Sequence, residues 1–467
     1  MAGVHTPLTS IAIHGAVLLA LLSSWWGIWH AQGIWVWSVG LCFVFYDTFL
    51  QVVTLAQTWP LSQSHRQPPK IIPLKPRSLG VIVAAHNEDK TLRSALHGLL
   101  SQTAPPEQIM IADDGSTDGT AALLSNHLGV RSPELGSLSD SSQVYPTVRW
   151  LRLAHSGKAK ALNQALLHMD VDVVLTVDAD TLLAPTALEA MREAFQKDPD
   201  LVAATGVLQP IGGSGQIARA MSWFQTYEYM RNFMARYTWM RLHGLLLISG
   251  AFAAFRRQAV LNVGGFDSAC LVEDYELIHR LMRHSARQGL NWNTAVVGQA
   301  RAYTEVPGDI PAFLRQRGRW FGGFLQTQYW YRDMVGQPQY GEVGMRMLTV
   351  KAVDTMQPFF GLSSPLVLLL SLAHGRWDVL LPAAGLLSIK ALADLAFHGW
   401  LAHLYRRWTV ETNRVSIAGA LLAALLEPWS FQILRQAGAV WGWAQFLIGR
   451  QRWGNVIRSN TLSQAIR

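Results

Sequence analysis

Val171-Asp-Val-Val-Leu-Thr-Val-Asp-Ala-Asp-Thr-Leu-Leu-Ala-Pro185, VDVVLTVDADTLLAP, is a short β-branched run that ends directly in two carboxylates, Asp178 and Asp180, flanking one small residue. On either side of it similar runs recur: LGVIVAAHN (79–87), QIMIADDGS (108–116), VRWLRLA (148–154) and LVAATGVL (201–208), with helical patterns between them. Strands alternating with helices predict crossover units on a mostly parallel sheet, an α/β domain. Ligands of such sheets bind outside the carboxyl ends of the strands. Three of the runs end in polar residues there: Asn87-Glu88, Asp113-Asp114-Gly115-Ser116 and Asp178-Ala-Asp180. A polar stretch at 131–147, RSPELGSLSDSSQVYPT, reads as a surface insertion.

The chain has 467 residues, of which 50% are apolar and only 15% charged, a balance that places part of it in a membrane. Residues 1–46 contain no Asp, Glu, Lys or Arg, enough for two spans of roughly 20 residues and too long for a signal-peptide core. A transmembrane hairpin is predicted in 1–60, with helices at about 9–29 and 34–57. A basic, proline-rich linker at 61–77 carries Arg66, Lys70, Lys75 and Arg77, and basic residues beside a span mark the cytoplasmic side. The domain at 78–335 is therefore expected to be cytoplasmic. A second membrane region at 336–450 is expected to hold about three spans, its last apolar run interrupted by Glu427-Pro428 and Arg435, before a basic cytoplasmic tail at 451–467. Within it Lys390 and Asp394 lie one helical turn apart, as either a mutually neutralising pair or part of a polar path.

The net charge of +8 is explained by basic residues beside predicted spans, so nucleic acid is not an expected partner. Two cysteines, Cys42 and Cys270, make neither a disulfide framework nor a zinc site, and the fifteen histidines show no ligand pair by spacing.

Two carboxylates at a strand terminus suit a hard divalent cation held against a diphosphate. HSGKAKALNQAL (155–166) follows a strand and opens a helix, placing Lys158 and backbone amides where phosphate oxygens are met. No Gly-x4-Gly-Lys-Ser/Thr loop and no Gly-x-Gly-x-x-Gly fingerprint is present in the domain, which removes the main support for a kinase or a dehydrogenase. CLVEDYELIHRL (270–281) puts Glu273, Asp274 and Glu276 at a helix start, where acids complement the helix dipole or supply a general base. In 219–244 the residues Trp223, Tyr227, Met230 and Met234 share one face, read as a helix packed on the core or lying at the membrane surface. FLRQRGRWFGGF (313–324) reads by composition as a cationic surface helix, with Arg315 and Arg317 as interface charges.

Taken in order, these motifs resemble the family-2 glycosyltransferases, in the membrane-embedded processive branch of cellulose, chitin, hyaluronan and poly-N-acetylglucosamine synthases. The resemblance covers about 78–325 and implies a nucleotide-diphosphosugar transferase domain of GT-A type inserted between transmembrane helices. It makes Asp113, Asp114 and Lys158 donor-binding residues, with Asp178 and Asp180 as ligands of Mg²⁺ or Mn²⁺. Asp178 also touches the donor. Ser249-Gly250 becomes a turn near the acceptor, Glu273-Asp274 the base motif, and Gln316-x-x-Arg319-Trp320 the processive signature. Gln316 and Arg319 are then donors to the diphosphate, and Trp320 a stacking face for the acceptor sugar. His86 stands where relatives often have tyrosine, and Val272 and Glu276 depart from the usual threonine and aspartate. The implied activity is inverting, metal-dependent polymerisation of sugar from a uridine diphosphate sugar, N-acetylglucosamine or glucose, into an exported β-linked polysaccharide. Implied partners are the sugar nucleotide, the growing polysaccharide, membrane lipids and accessory export subunits, with the chain a multi-pass protein of the plasma or bacterial inner membrane. The alternatives are a transferase adding single sugars to a lipid or polyprenyl-phosphate acceptor, and an inactive membrane scaffold or transport subunit.

Overall fold

A computed structural model describes residues 5–63, 77–410 and 414–450. The linker's Arg66, Lys70 and Lys75 and the tail at 451–467 lie outside the described residues. Two long helices, α1 (Leu8–His30) and α2 (Ser38–Thr58), and a short α3 (Pro60–Gln63) come first.

The domain follows as β1 (Leu79–Ala85), α4 (Leu92–Leu100), β2 (Gln108–Asp114), α5 (Thr120–Leu128), β3 (Val148–Leu153), α6 (Lys158–Leu167), β4 (Val173–Asp178), β5 (Thr181–Leu183) and α7 (Ala187–Lys197). It continues with β6 (Leu201–Ile211), α8 (Gln216–Arg241), β7 (Phe252–Arg256), α9 (Arg257–Asn262), α10 (Glu273–Arg287), β8 (Asn293–Glu305) and α11 (Ile310–Trp330). All eight strands form one sheet in the order β3-β2-β1-β4-β7-β6-β8-β5. Parallel pairings outnumber antiparallel ones by four to three, so the sheet is mixed. The parallel half comes from the runs that alternate with helices. Val81, Ile82 and Val83 are wholly buried because helices cover both faces, which is why β1 is apolar without alternation.

The antiparallel strand β7 inserts between β4 and β6 and runs back from the carboxyl end of β4. The Ser249-Gly250-Ala251 turn is thereby brought beside Asp178, whose backbone N–H donates to the Ala251 carbonyl at 3.3 Å. The polar insertion after α5 lies along the free edge of β3, where Ser139 N donates to Trp150 O at 2.8 Å and Arg152 N to Ser137 O at 3.1 Å. A covered edge is protected from pairing with another chain.

α8 packs through Tyr227, Met230 and Met234 into the domain core, as the shared face predicted. After α11 come α12 (Leu348–Asp354), α13 (Gln357–Ala373), α14 (Trp377–Thr409), α15 (Ile417–Leu426) and α16 (Phe431–Leu447). Among the described residues four helical stretches are long and apolar enough to cross a membrane: Leu8–His30, Gly33–Gln63, Val343–Ala373 and Trp377–Thr409. The pair Ile417–Trp429 and Phe431–Leu447, bent by 53°, makes a fifth if it crosses as a unit. Leu19, Leu22, Trp26, Leu369, Leu381 and Leu392 point outward from these helices with their side chains exposed, as a lipid-facing surface requires.

Lys390 and Asp394 are indeed ion-paired, but they belong to a larger cluster. Asp47 of α2 approaches Lys390 Nζ at 2.7 Å, and Gln51 donates to both Asp47 (2.9 Å) and Asp394 (2.7 Å). The first charge after the N-terminal apolar run thus ties α2 to the C-terminal apolar helix α14.

Candidate active site

Asp114 closes β2 with its carboxylate buried. Its Oδ1 accepts Ser156 N–H at 2.7 Å and its Oδ2 accepts Gly157 N–H at 2.9 Å, so the loop after β3 is held to the end of β2. Gly157 sits at φ 98°, a conformation that favours glycine, and from there α6 starts with Lys158. Asp113 turns the chain instead, its Oδ1 accepting Ser116 N–H at 2.9 Å. It is buried and serves the turn that carries Asp114.

Lys158 reaches from the start of α6 to the end of β4. Its Nζ lies 2.5 Å from Asp178 Oδ1 and 3.7 Å from Glu273 Oε1. Burial would lower the ammonium's pKa, but the carboxylates of Asp178 and Glu273 outweigh it and hold it above its ordinary value. Burial pushes the Glu273 carboxyl up, with Lys158 opposing. Asp180, two residues after Asp178, is buried in the turn between β4 and β5. Asp178, Asp180, Glu273 and Asp274 offer only hard carboxylate oxygens, a donor set that fits a hard divalent cation.

Glu273 and Asp274 open α10 and divide their labour. Glu273 is buried against Lys158, whereas Asp274 is partly exposed. Asp274 Oδ2 accepts Gly250 N–H at 2.6 Å, and Oδ1 accepts Tyr275 N–H at 2.8 Å, which fixes the carboxylate's orientation. A Cβ on Gly250 would lie 2.9 Å from Asp274 Oδ2 and 3.0 Å from its Cβ, so glycine is what permits this approach. Ser249 N donates to Thr205 Oγ1 at 3.4 Å, tying the same turn to β6.

Glu276 takes no part in this cluster. It is fully buried, ion-paired to Arg280 at 2.6 Å and bonded by the Tyr331 hydroxyl at 2.5 Å, so its charge anchors α10 to the segment after α11.

Gln316, Arg317, Arg319 and Trp320 lie on α11, and the structure sorts them differently from the sequence. Arg319 Nη1 donates to Leu271 O at 3.5 Å, beside the segment that leads into Glu273. Gln316 Oε1 is buried without a hydrogen-bond partner among the described residues. Arg315 is exposed, as expected of an interface charge. Arg317 is not: it is 1% exposed, ion-paired to Glu228 of α8, and its guanidinium sits 4.6 Å from the Phe313 ring and 4.4 Å from the Trp320 ring. Reading Arg317 as an interface charge is corrected by this burial. One face of Trp320 is accordingly taken by Arg317.

Sequence reasoning missed His155 and the role of His86, which sit against Asp114 with ring centroids 4.1 Å apart. It also missed the Glu228–Arg317 pair. These partners are 69 and 89 residues apart, and no local pattern marks such contacts.

The sheet with carboxylates at β2, β4 and α10 is matched by two family patterns. That of glycosyl transferase family 2 matches residues 80–264, and that of glycosyl transferase family group 2 matches residues 173–426, more than half of the chain. The chain belongs to glycosyl transferase family group 2. Among curated proteins, the poly-beta-1,6-N-acetyl-D-glucosamine synthase of Staphylococcus epidermidis is 27% identical over 256 residues, 54% of this chain and 56% of that protein. That of Staphylococcus aureus (strain COL) is 28% identical over 243 residues, 52% of this chain and 53% of that protein. The chain spans about half the length of the curated relatives it matches. Among solved structures, a mannosyltransferase from Pyrobaculum calidifontis in complex with GDP-Man and Mn²⁺ aligns with a TM-score of 0.53 at 19% identity, covering 84% of this chain and 99% of that one. That likeness shows the fold of the glycosyltransferase domain, with helices at both ends.

Proposed function

We propose that this member of the family is an inverting, metal-dependent, processive β-glycosyltransferase that polymerises sugar from a uridine diphosphate sugar and passes the product through its membrane helices. The observation that carries the reading is the bridge from donor side to base: Lys158 joins Asp178 to Glu273, and the adjacent Asp274 is aimed by Gly250 N–H. N-acetylglucosamine is the proposed unit, on the strength of the synthases to which the chain is similar.

In this reading Asp114 seats the nucleotide, and Lys158 moves from Asp178 toward the diphosphate. Asp178 and Asp180 would hold Mg²⁺ or Mn²⁺, which supplies charge neutralisation for the departing diphosphate. Asp274 takes the proton from the acceptor hydroxyl as its oxygen attacks the anomeric carbon. The bond to the diphosphate breaks on the opposite face, so the anomeric centre inverts and uridine diphosphate leaves. Ser249, Gly250 and Trp320 border the acceptor, with Gln316 and Arg319 on the diphosphate. Glu273 stays in the pocket as the buried counter-charge of Lys158.

The test is to incubate the purified protein, reconstituted in lipid, with radiolabelled UDP-N-acetylglucosamine or UDP-glucose and Mn²⁺ or Mg²⁺. Long polymer from the former is the expected product. A single sugar added to a lipid would replace the polymerase with a lipid-acceptor transferase, and no incorporation with any uridine diphosphate sugar would sink the reading.

A further inference from the structure

Three neighbouring strands of the sheet, β3, β2 and β1, each deliver one metal-ligating side chain to the same place. His155 follows β3, Asp114 ends β2, and His86 follows β1. One ligand atom from each lies within 4.8 Å of the other two. His86 Nδ1 is 2.7 Å and His155 Nδ1 is 3.1 Å from the Asp114 carbonyl oxygen, and His155 Nδ1 is 3.0 Å from Asp114 Oδ2. The last of these separates two candidate ligand atoms and is a few tenths of an ångström shorter than the edge, about 3.4 Å, of a tetrahedron whose ligands stand about 2.0–2.2 Å from one ion; in the first two the imidazoles gather around the Asp114 carbonyl. The arrangement is held from outside the cluster. Ser156 and Gly157 amides fix the Asp114 carboxylate, and Gly115 has no Cβ where one would meet His155 N at 2.6 Å. Asp114 is buried while both imidazoles are exposed, so an ion can enter from solvent.

We propose that His86, Asp114 and His155 form a second metal site, specific for a borderline divalent ion of the zinc class. Two imidazole nitrogens and one carboxylate select Zn²⁺ or Co²⁺ over Mg²⁺, whereas Asp178 and Asp180 present oxygen alone. The two sites therefore differ in chemistry as well as place. One consequence rests on the proposed function: an ion at Asp114 occupies the nucleotide's seat, so zinc-class ions inhibit transfer that Mg²⁺ supports. The binding itself does not depend on that reading.

Protein free of any histidine tag is titrated with Co²⁺ by visible absorption and with Zn²⁺ by calorimetry, both in excess Mg²⁺. Stoichiometric binding is expected, weakened at least about tenfold by His86→Ala or by His155→Ala and abolished in the double variant. Asp180→Asn is expected to leave the affinity unchanged. Unaltered binding in the double variant, or its loss in Asp180→Asn, overturns the site. Competition is read separately, by Zn²⁺ inhibition at fixed Mg²⁺ against rising sugar nucleotide, with each variant's Mg²⁺-supported rate as its own reference. Inhibition relieved by the nucleotide in the parent protein and absent in the double variant supports the consequence. Zn²⁺ bound at the histidines with uridine diphosphate affinity unchanged overturns the nucleotide role of Asp114 and leaves the metal site standing.

Discussion

Asp274 and Gly250 form the contact on which the proposed chemistry turns, because one backbone amide sets where the carboxylate points. Asp274→Asn keeps the size of the side chain and removes its basicity. Transfer is expected to fall by about 10²–10⁴-fold, with uridine diphosphate binding retained, as measured by radiolabel incorporation beside calorimetry. Polymer made by Asp274→Asn at the parent rate would show that another group takes the proton. Gly250→Ala leaves every charge in place yet puts a methyl 2.9 Å from Asp274 Oδ2, so the carboxylate must shift. A displacement of that kind is expected to lower kcat by about 10²-fold while KM for the sugar nucleotide stays within a few-fold. An unchanged kcat would mean that the orientation of Asp274 is not limiting.

Among the elements, α11 links the sheet domain to the C-terminal apolar helices, and it is fastened on two sides. Toward α16 it presents Gly318 and Gly322 to Gly442, where the two backbones approach directly, while Gly438 makes room for the Arg317 side chain. A Cβ at Gly442 would stand 2.1 Å from the Gly318 carbonyl oxygen. Close crossings of this kind are typical of helices packed in membranes, where small residues replace hydrophobic drive. Gly442→Ala is expected to cost roughly 1–3 kcal/mol by overpacking, seen as a lower thermal midpoint by size-exclusion. Toward α8, Arg317 is held by Glu228. Arg317→Met strands that carboxylate in the interior and is expected to cost about 3–5 kcal/mol, while Arg317→Met with Glu228→Leu recovers most of it. Equal loss in the single and double variants would mean that the pair is not the reason for the loss. α10 carries a pH dependence of its own. His279 is 1% exposed, bonded to Tyr275 O at 2.8 Å, and burial pushes its pKa down to about 4. The unfolded chain takes up that proton near 6.5, so the contribution of His279 is present above 6.5 and is lost as pH falls toward 4. His279→Gln cannot titrate, and the midpoint advantage of the parent over this variant is expected to shrink between pH 6.5 and pH 4.5. A constant difference would contradict the assignment.

For the whole molecule, the ion cluster of Asp47, Lys390 and Asp394 joins the N-terminal helix pair to α14. The proposed topology places the domain on the cytoplasmic face, where the donor nucleotide is. Ser137 lies exposed in the insertion along β3 and offers a reporter. With Cys42 and Cys270 replaced by alanine, Ser137→Cys is expected to resist a membrane-impermeant maleimide in intact spheroplasts and to react once they are permeabilised. Labelling in intact spheroplasts would invert the topology.

From residue order alone came the hairpin near the N-terminus, the parallel strands β1 to β4, and the carboxylates at their ends, since a strand's composition and its polar terminus are local properties. The pairing of Asp178 with Lys158 was half legible, because both lie at the mouth of the sheet's parallel half, although their contact needed α6 to start where Gly157 allows. The antiparallel β7 was not legible: five residues, Phe252–Arg256, carry too little pattern to show direction. Only its reversal brings Gly250 to Asp274. Arg317 was misjudged for the same reason, since a charge reads as exposed until the partner that neutralises it, Glu228, is brought to it by folding. Local chemistry marked the residues able to act, and long-range packing alone chose which of them meet.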